Sequence, residues 1–181
     1  MRLRPERGAS AVEAALVTPV FMLLLFGILE FGFYFKDALS VNDAVKAGVR
    51  VASAEPRVAS YAQDAADRVQ EASGALDRST IQELWVYKAN TANNFPEGQS
   101  SFATCTTCTK FVWDGSSFVQ TTSTWPATTH DACSASPPDR IGVYLKARHQ
   151  MMTTFVVDSL PAQQADVLRF EPVPERSGCK P

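Results

Sequence analysis

The chain has 181 residues, which is enough for one membrane anchor and one modest domain but not for several large domains. Its 17 Lys and Arg residues are scattered and are balanced by 19 Asp and Glu residues, so that the formal net charge is −2. This balance leaves no basic surface for nucleic acid, and we expect no nucleic-acid partner.

A long apolar segment follows the first residues. Between Ala14 and Phe35 it is interrupted only by Thr18, Pro19, Gly27, Glu30 and Gly32. As a helix this segment is about 33 Å long, which is enough for a bilayer core of about 30 Å. A soluble protein of this size would have to surround such a helix with core on every side. We therefore predict that residues 9–35 cross a membrane.

The charges on either side of this segment predict its orientation. Arg2, Arg4 and Arg7 precede it, whereas the charges that follow Phe35 nearly balance. Basic residues stay on the cytoplasmic side, so we expect a single-pass protein of the cytoplasmic (inner) membrane with its C-terminal domain outside. An ordinary secretory signal fits poorly, because its apolar region is only about 7–15 residues long and a cleavage site follows closely.

A motif surrounds the start of the apolar segment. Gly8 follows basic residues, and Glu13 lies at the mouth of the apolar run. This arrangement resembles the leader of type IV prepilins and pseudopilins, in which a membrane aspartic peptidase cleaves after the glycine. Together with Pro19 and the segments 28–32 and 41–50, it resembles the TadE/TadG-like pilus assembly proteins. The resemblance covers about the first third of the chain.

The resemblance implies a role and a set of partners. Residues 1–8 would be a leader that is cleaved between Gly8 and Ala9. The mature chain would be a minor pilin or pseudopilin of a Tad (Flp, type IVb) pilus. Its partners would be the prepilin peptidase, other pilus subunits, the inner-membrane platform proteins and membrane lipid, with no cofactor.

Three side chains of the segment are candidates for a role. A carboxylate at the membrane edge is costly without a cation or water. In an assembling array the N-terminal amine of a neighbour can supply that cation to Glu13 and set the axial register; alternatively, Glu13 lies in the wet headgroup layer. Pro19 removes one helix hydrogen bond and is expected to bend or locally open the helix. Glu30 is either an acid that reaches the outer interface or a contact for a partner.

The pattern beyond the membrane predicts two helical pieces. Residues 36–56 should continue the first helix, with a stripe of mostly small apolar residues formed by Val41, Ala44, Val45, Gly48, Val51 and Ala52. This stripe would pack on the chain's own domain or on a sister subunit. A second helix should begin at Ser60, with a capping box to Gln63 and Gly74 as its C-cap.

We place the domain at residues 57–181, and the pattern after its helix predicts mainly strands. We predict strands at 81–88, at 110–113 and 118–121 around an Asp114-Gly115 turn, at 140–148 and at 165–171. Within 140–148, one face of the strand should hold Ile141, Val143, Leu145 and Ala147, and the other face should hold Tyr144, Lys146 and Arg148. Residues 122–138 should be exposed, and residues 149–160 should hold an irregular helical turn. The predicted class is α+β, in which a long N-terminal helix and a second helix cover a small antiparallel sheet.

Four cysteines, Cys105, Cys108, Cys133 and Cys179, all follow the membrane segment. Outside the cytoplasm we expect two disulfides, in which one of Cys105 and Cys108 pairs with Cys133 and the other with Cys179. Cys105 and Cys108 could instead pair with each other, but this bridge closes only a very small loop and adds little stability. The alternative is a zinc site formed by Cys105, Cys108, His130 and Cys133, although our prediction is that no metal is bound.

No catalytic motif is recognisable in the chain, and we predict that it is not an enzyme. The preferred function is therefore assembly through protein–protein contacts. The alternative is a single-pass membrane protein whose outer domain is an unrelated binding or metal module.

Overall fold

Two helices and five strands form most of the chain. A computed structural model describes residues 6–135, 137–153 and 157–174. The helices are α1 (Glu6–Ala54) and α2 (Tyr61–Ala72), and the strands are β1 (Ile81–Lys88), β2 (Cys108–Trp113), β3 (Phe118–Ser123), β4 (Arg140–Gln150) and β5 (Ser159–Arg169). The predicted α+β class is confirmed.

The five strands form one antiparallel sheet in the order β3-β2-β1-β4-β5. Side chains alternate between its two faces, as the period of a strand requires. On β4, Ile141, Val143 and Leu145 enter the main core beneath the helices, whereas Tyr144 lies on the other face. The two faces predicted for β4 are therefore confirmed.

The C-terminal half of α1 lies in the main core. Val41, Ala44, Val45 and Ala52 are buried there, and Val49 is buried in place of the predicted Val51. Helix α1 packs against α2, β4 and β5. The small-residue stripe thus packs on the chain's own domain.

Gly48 allows α1 and α2 to approach closely. A Cβ atom at this position would lie 2.5 Å from Val69 Cγ2 and 3.1 Å from the backbone oxygen of Ala65, both on α2. These distances are shorter than van der Waals contact, so only glycine fits without a shift of the helices.

The start of α2 agrees with the prediction, but its caps do not. Ser60 is the N-cap residue, yet its hydroxyl donates to Asp64 Oδ2 at 2.6 Å and does not cap the helix. Gln63 donates to Asp67. The predicted capping box is therefore wrong, because each of these side chains has a carboxylate partner four residues along. The C-cap is Ser73 and not Gly74.

Two loop predictions differ from the structure. In the described part of residues 149–160, β4 continues to Gln150 and β5 begins at Ser159, because the hairpin register keeps both strands paired. Residues 154–156 lie outside the described residues. Residues 122–138 are not uniformly exposed. Trp125, His130 and Ala132 are buried in that segment, and their rings and methyl groups complete the core beside Phe170.

A second, smaller apolar cluster lies on the face of the sheet away from the helices. Trp85, Tyr87 and Tyr144 form its centre, with Cys108 beside them and Phe102 stacked on Tyr144 at a centroid distance of 4.2 Å. Phe102 and Cys105, from the loop between β1 and β2, thus cover the central part of this face.

Candidate functional site

The N-terminal half of α1 projects from the domain as a bare apolar helix. Its most apolar 18-residue window has a mean hydropathy of 2.3 and no buried residues. Large side chains such as Leu16, Leu24 and Ile28 are 64–75% exposed. A single helix of this length and exposure is a candidate membrane span and makes the chain a candidate membrane-anchored protein.

The predicted cleavage and register residues lie in the first turns of α1. Gly8, Ala9 and Glu13 are all exposed. The space around Gly8 is open, since a Cβ atom built there would meet no atom within 4 Å. The geometry leaves these positions accessible to another molecule, and their roles stay predictions.

Helix α1 continues through Pro19 without interruption. The hydroxyl of Thr18, the residue before the proline, donates to the carbonyl of Ala14, one turn earlier in the helix, at 2.7 Å. Back-bonding of this kind accompanies bent helices, so it is compatible with the predicted bend. The predicted bend or local opening at Pro19 stays a prediction.

Glu30 is buried although it lies within the apolar segment. Its side chain is only 4% exposed. Its carboxylate oxygen Oε1 accepts a hydrogen bond from the backbone N–H of Met152, in the β4–β5 connection. Neither interpretation drawn from the sequence anticipated this contact, because the contact joins residues that are far apart along the chain.

A second polar contact joins α1 to the same hairpin. The Nδ1–H of His149 donates to Asp37 Oδ2 at 2.7 Å, and the ring of Tyr34 lies edge-on to His149. The Tyr34 hydroxyl also donates to the Pro161 carbonyl at 3.3 Å. The end of the apolar segment is therefore fixed to β4 and β5. Sequence reasoning missed this junction, and no local motif indicates it.

The predicted disulfide connectivity is wrong. Cys105 is bonded to Cys108, and no described cysteine is free. Cys105 lies three residues before Cys108, which is the first residue of β2, and their Cα atoms are 6.1 Å apart, a separation that a disulfide can span. Cys133 is also disulfide-bonded, and Cys179 lies outside the described residues.

The residues of the alternative zinc site are not brought together. Cys105 and Cys108 lie on the small-cluster face of the sheet, whereas His130 is surrounded by Tyr61, Trp125 and Phe170 on the other side. Among the described residues no group of three His, Cys, Asp or Glu side chains has the arrangement of a metal site.

His130 instead belongs to the core. It is fully buried, its ring stacks on Phe170, and its Nδ1–H donates to the Pro56 carbonyl at 2.7 Å. Burial lowers the pKa of His130 from 6.5 to about 4, although the Pro56 carbonyl and the charge of Asp139 act in the opposite direction. The ring is therefore neutral at pH 7 and links the end of α1 to the sheet.

Comparison with known proteins gives one match. The model of the TadE-like protein family matches residues 8–50. The matched residues include the bare apolar helix and the buried stripe up to Arg50, and they confirm the resemblance predicted from the sequence. No curated protein and no solved structure matches the chain.

Proposed function

We propose that this chain is a membrane-anchored minor pilin or pseudopilin that acts through protein–protein contacts in the assembly of a Tad-type pilus. The observation that carries the proposal is the TadE-like match, which coincides with a helix whose apolar half lies outside the domain. The TadE-like match also favours a structural and non-enzymatic role. The N-terminus would be cytoplasmic and the domain outside the inner membrane.

The proposal assigns separate tasks to the two halves of α1. The half beyond Phe35 is fixed in the domain core by the Gly48 crossing and the contact of Asp37 with His149. The half from Gly8 to Leu29 has exposed side chains and is free to contact lipid and the helices of neighbouring subunits. Inner-membrane platform proteins and other pilus subunits are the partners that such a helix would meet.

Processing is the first expected outcome. Cleavage between Gly8 and Ala9 by a prepilin peptidase should remove eight residues from the protein purified from its native membrane. Intact mass spectrometry measures this loss directly, and a strain without the peptidase provides the control. A full-length chain in the presence of an active peptidase would contradict the processed-pilin assignment and leave a simple anchor.

Substitution of Glu13 tests the assembly role. Glu13→Ala should leave membrane insertion intact, since it removes a charge from an apolar helix. Recovery of pilus subunits with the tagged protein should fall by about tenfold, the equivalent of about 1.4 kcal/mol, because the contact with a neighbouring amine is lost.

The matched controls are Glu13→Gln, which keeps the shape but not the charge, and Val12→Ala at the adjacent exposed position. Glu13→Gln should behave as Glu13→Ala does, and Val12→Ala should behave as the unsubstituted chain does. Equal recovery for all variants would place Glu13 in the headgroup layer without an assembly role.

A further inference from the structure

Helices α1 and α2 lie side by side on one face of the sheet, and their outward surfaces differ in charge. Helix α1 packs over β4 and β5, whereas α2 lies over β1 and β3. Both helices bury their inner sides in the same core, so their other sides face away from the sheet. We call two sets of outward residues the α1 ridge (Leu39, Asp43, Lys46 and Arg50) and the α2 ridge (Asp64, Asp67, Arg68 and Glu71).

The α1 ridge is basic. Asp43, Lys46 and Arg50 recur every three or four residues and are all exposed, so they form one line along the helix. Two cations and one acid give this line a net positive charge. None of the three forms an ion pair with another described residue. The charges of the α1 ridge are therefore available to a second molecule.

The α2 ridge is acidic, with three acids and one cation. Arg68 forms an exposed ion pair with Glu71 at 2.8 Å. Asp64 and Asp67 accept hydrogen bonds from a neutral hydroxyl and a neutral amide, respectively. These neutral donors leave the negative charge of both carboxylates in place. The α2 ridge thus complements the charge of the α1 ridge.

The two ridges also lie at the same height along the helix axes. The helices are antiparallel, and a Cβ atom at Gly48 would meet atoms of α2 two residues before and two residues after Asp67, so these two positions are level. Lys46 and Arg50 lie about 3 Å below and above Gly48, and Glu71 lies about 6 Å below Asp67. The long basic side chains therefore cover the same range of heights as the carboxylates.

We propose that the two ridges form the contact surface for a second copy of this chain. A half-turn about the membrane normal keeps both anchors in one bilayer and leaves every residue at its own height. It also places the α1 ridge of each copy opposite the α2 ridge of the other, so the pair contains the same contact twice. This inference rests on the proposed membrane anchoring, which holds the two copies parallel.

Leu39 adds an apolar contact at the lower end of the α1 ridge. Its side chain is 62% exposed, one turn above Lys36. The Lys36 ammonium donates to the Ala75 carbonyl at 2.7 Å, so the segment after α2 lies near this height. Gly74 and Ala75 are exposed there and leave room for a leucine from the second copy.

The charges are expected to select the orientation of the pair more than its strength. Exposed ion pairs contribute little on their own, whereas like charges that face each other exclude a wrong arrangement. Confinement in one bilayer raises the effective concentration of the second copy, so that a modest contact is sufficient.

Charge reversal followed by mixing tests the inference on the full chain in phosphatidylcholine vesicles. One variant carries Lys46→Glu and Arg50→Glu, and the other carries Asp67→Lys and Glu71→Lys. Energy transfer between copies with donor and acceptor fluorescent tags measures association as the protein-to-lipid ratio is varied. Each variant alone should associate about tenfold more weakly than the unsubstituted chain, because like charges then face each other in both contacts.

The mixture of the two variants should associate as the unsubstituted chain does, since both contacts then join opposite charges. This recovery also shows that both variants are folded. Arg148→Glu with Arg169→Glu is the matched control, because it makes the same change of charge at exposed strand positions outside the ridges. The control should associate as the unsubstituted chain does.

Carbodiimide coupling gives a second measurement, because it joins an amine to a carboxylate only where the two are in contact. A mixture of isotopically labelled and unlabelled chains should give hybrid peptides that link Lys46 to Asp67 or Glu71. Links found only between peptides of the same isotope would show contact within one chain and overturn the inference.

Three further outcomes would contradict the proposed contact. Association that is unchanged by charge reversal would overturn it. So would variants with native near-ultraviolet circular dichroism that do not recover on mixing, because the two ridges would then not face each other. Weaker recovery of other pilus subunits with unchanged self-association would assign the ridges to a different subunit and also overturn it.

Flotation of the same vesicles tests the anchor separately. Chains that float with the vesicles but do not associate would overturn the contact between copies and leave the anchoring intact. Chains that do not float would overturn the anchoring, and with it the common height on which the contact depends.

Discussion

Gly48→Leu is expected to lower the free energy of unfolding of the domain by about 3 kcal/mol, because overpacking at a close helix crossing forces the two helices apart. The first added carbon would meet Val69 Cγ2 at 2.5 Å and approach the Ala65 carbonyl. Neither atom is the far end of a flexible side chain. The better helix propensity of leucine recovers only about 1 kcal/mol or less.

Chemical denaturation in detergent micelles, followed by the near-ultraviolet circular dichroism of the three tryptophans, measures this loss. Gly32→Leu is the matched control, since it places the same side chain on the same helix where the surrounding space is open. Its midpoint should equal that of the unsubstituted chain. Equal midpoints for both variants would mean that Gly48 does not set the distance between α1 and α2.

Acidification is expected to destabilise the domain through His130. The pKa of this ring is lowered to about 4 in the folded state, whereas the unfolded chain takes up the proton near pH 6.5. The contribution of His130 to the free energy of unfolding is therefore fully present above pH 6.5 and is lost as the pH falls towards 4. Integrated over this window, the loss is about 3 kcal/mol.

His130→Phe isolates this contribution, because phenylalanine keeps the ring between Trp125 and Phe170 but cannot take up a proton. The variant should be less stable at pH 7, since the bond to the Pro56 carbonyl is lost. Its denaturation midpoint should nevertheless change less between pH 7 and pH 5. The Glu55 carboxyl has the opposite effect on stability as the pH falls, because burial raises its pKa. This effect is the same in the variant and in the unsubstituted chain. An unchanged pH dependence would contradict the role of His130.

Much of the fold follows from local pattern. The 3.6-residue period of α1, the alternation along β4 and the Asp114-Gly115 turn each depend on neighbours in sequence, and all three are confirmed. The turn requires Gly115, whose φ is +103°. The errors occur where the local structure depends on a distant segment or on a competing side chain. The Ser60 hydroxyl donates to Asp64 and so does not cap α2. Strands β4 and β5 are longer than predicted because they pair with each other.

Of the candidate site, only the features formed by residues adjacent in the chain could be predicted from the sequence. Gly8, Glu13 and the apolar run form a contiguous motif, and the family match supports the resemblance that they carry. The contacts of Glu30 with Met152 and of Asp37 with His149 join positions more than 110 residues apart, so that only the tertiary structure reveals them. The burial of His130 was missed for the same reason, since its neighbours come from three separate segments.

The unbroken course of α1 has a mechanical consequence. With 49 residues the helix is about 74 Å long, and it contains no linker between the apolar half and the stripe at the centre of the core. A force that draws the helix along its own axis would act on the sheet directly and not through a slack tether. Any change in the tilt of the apolar half would likewise turn the whole domain through the same angle.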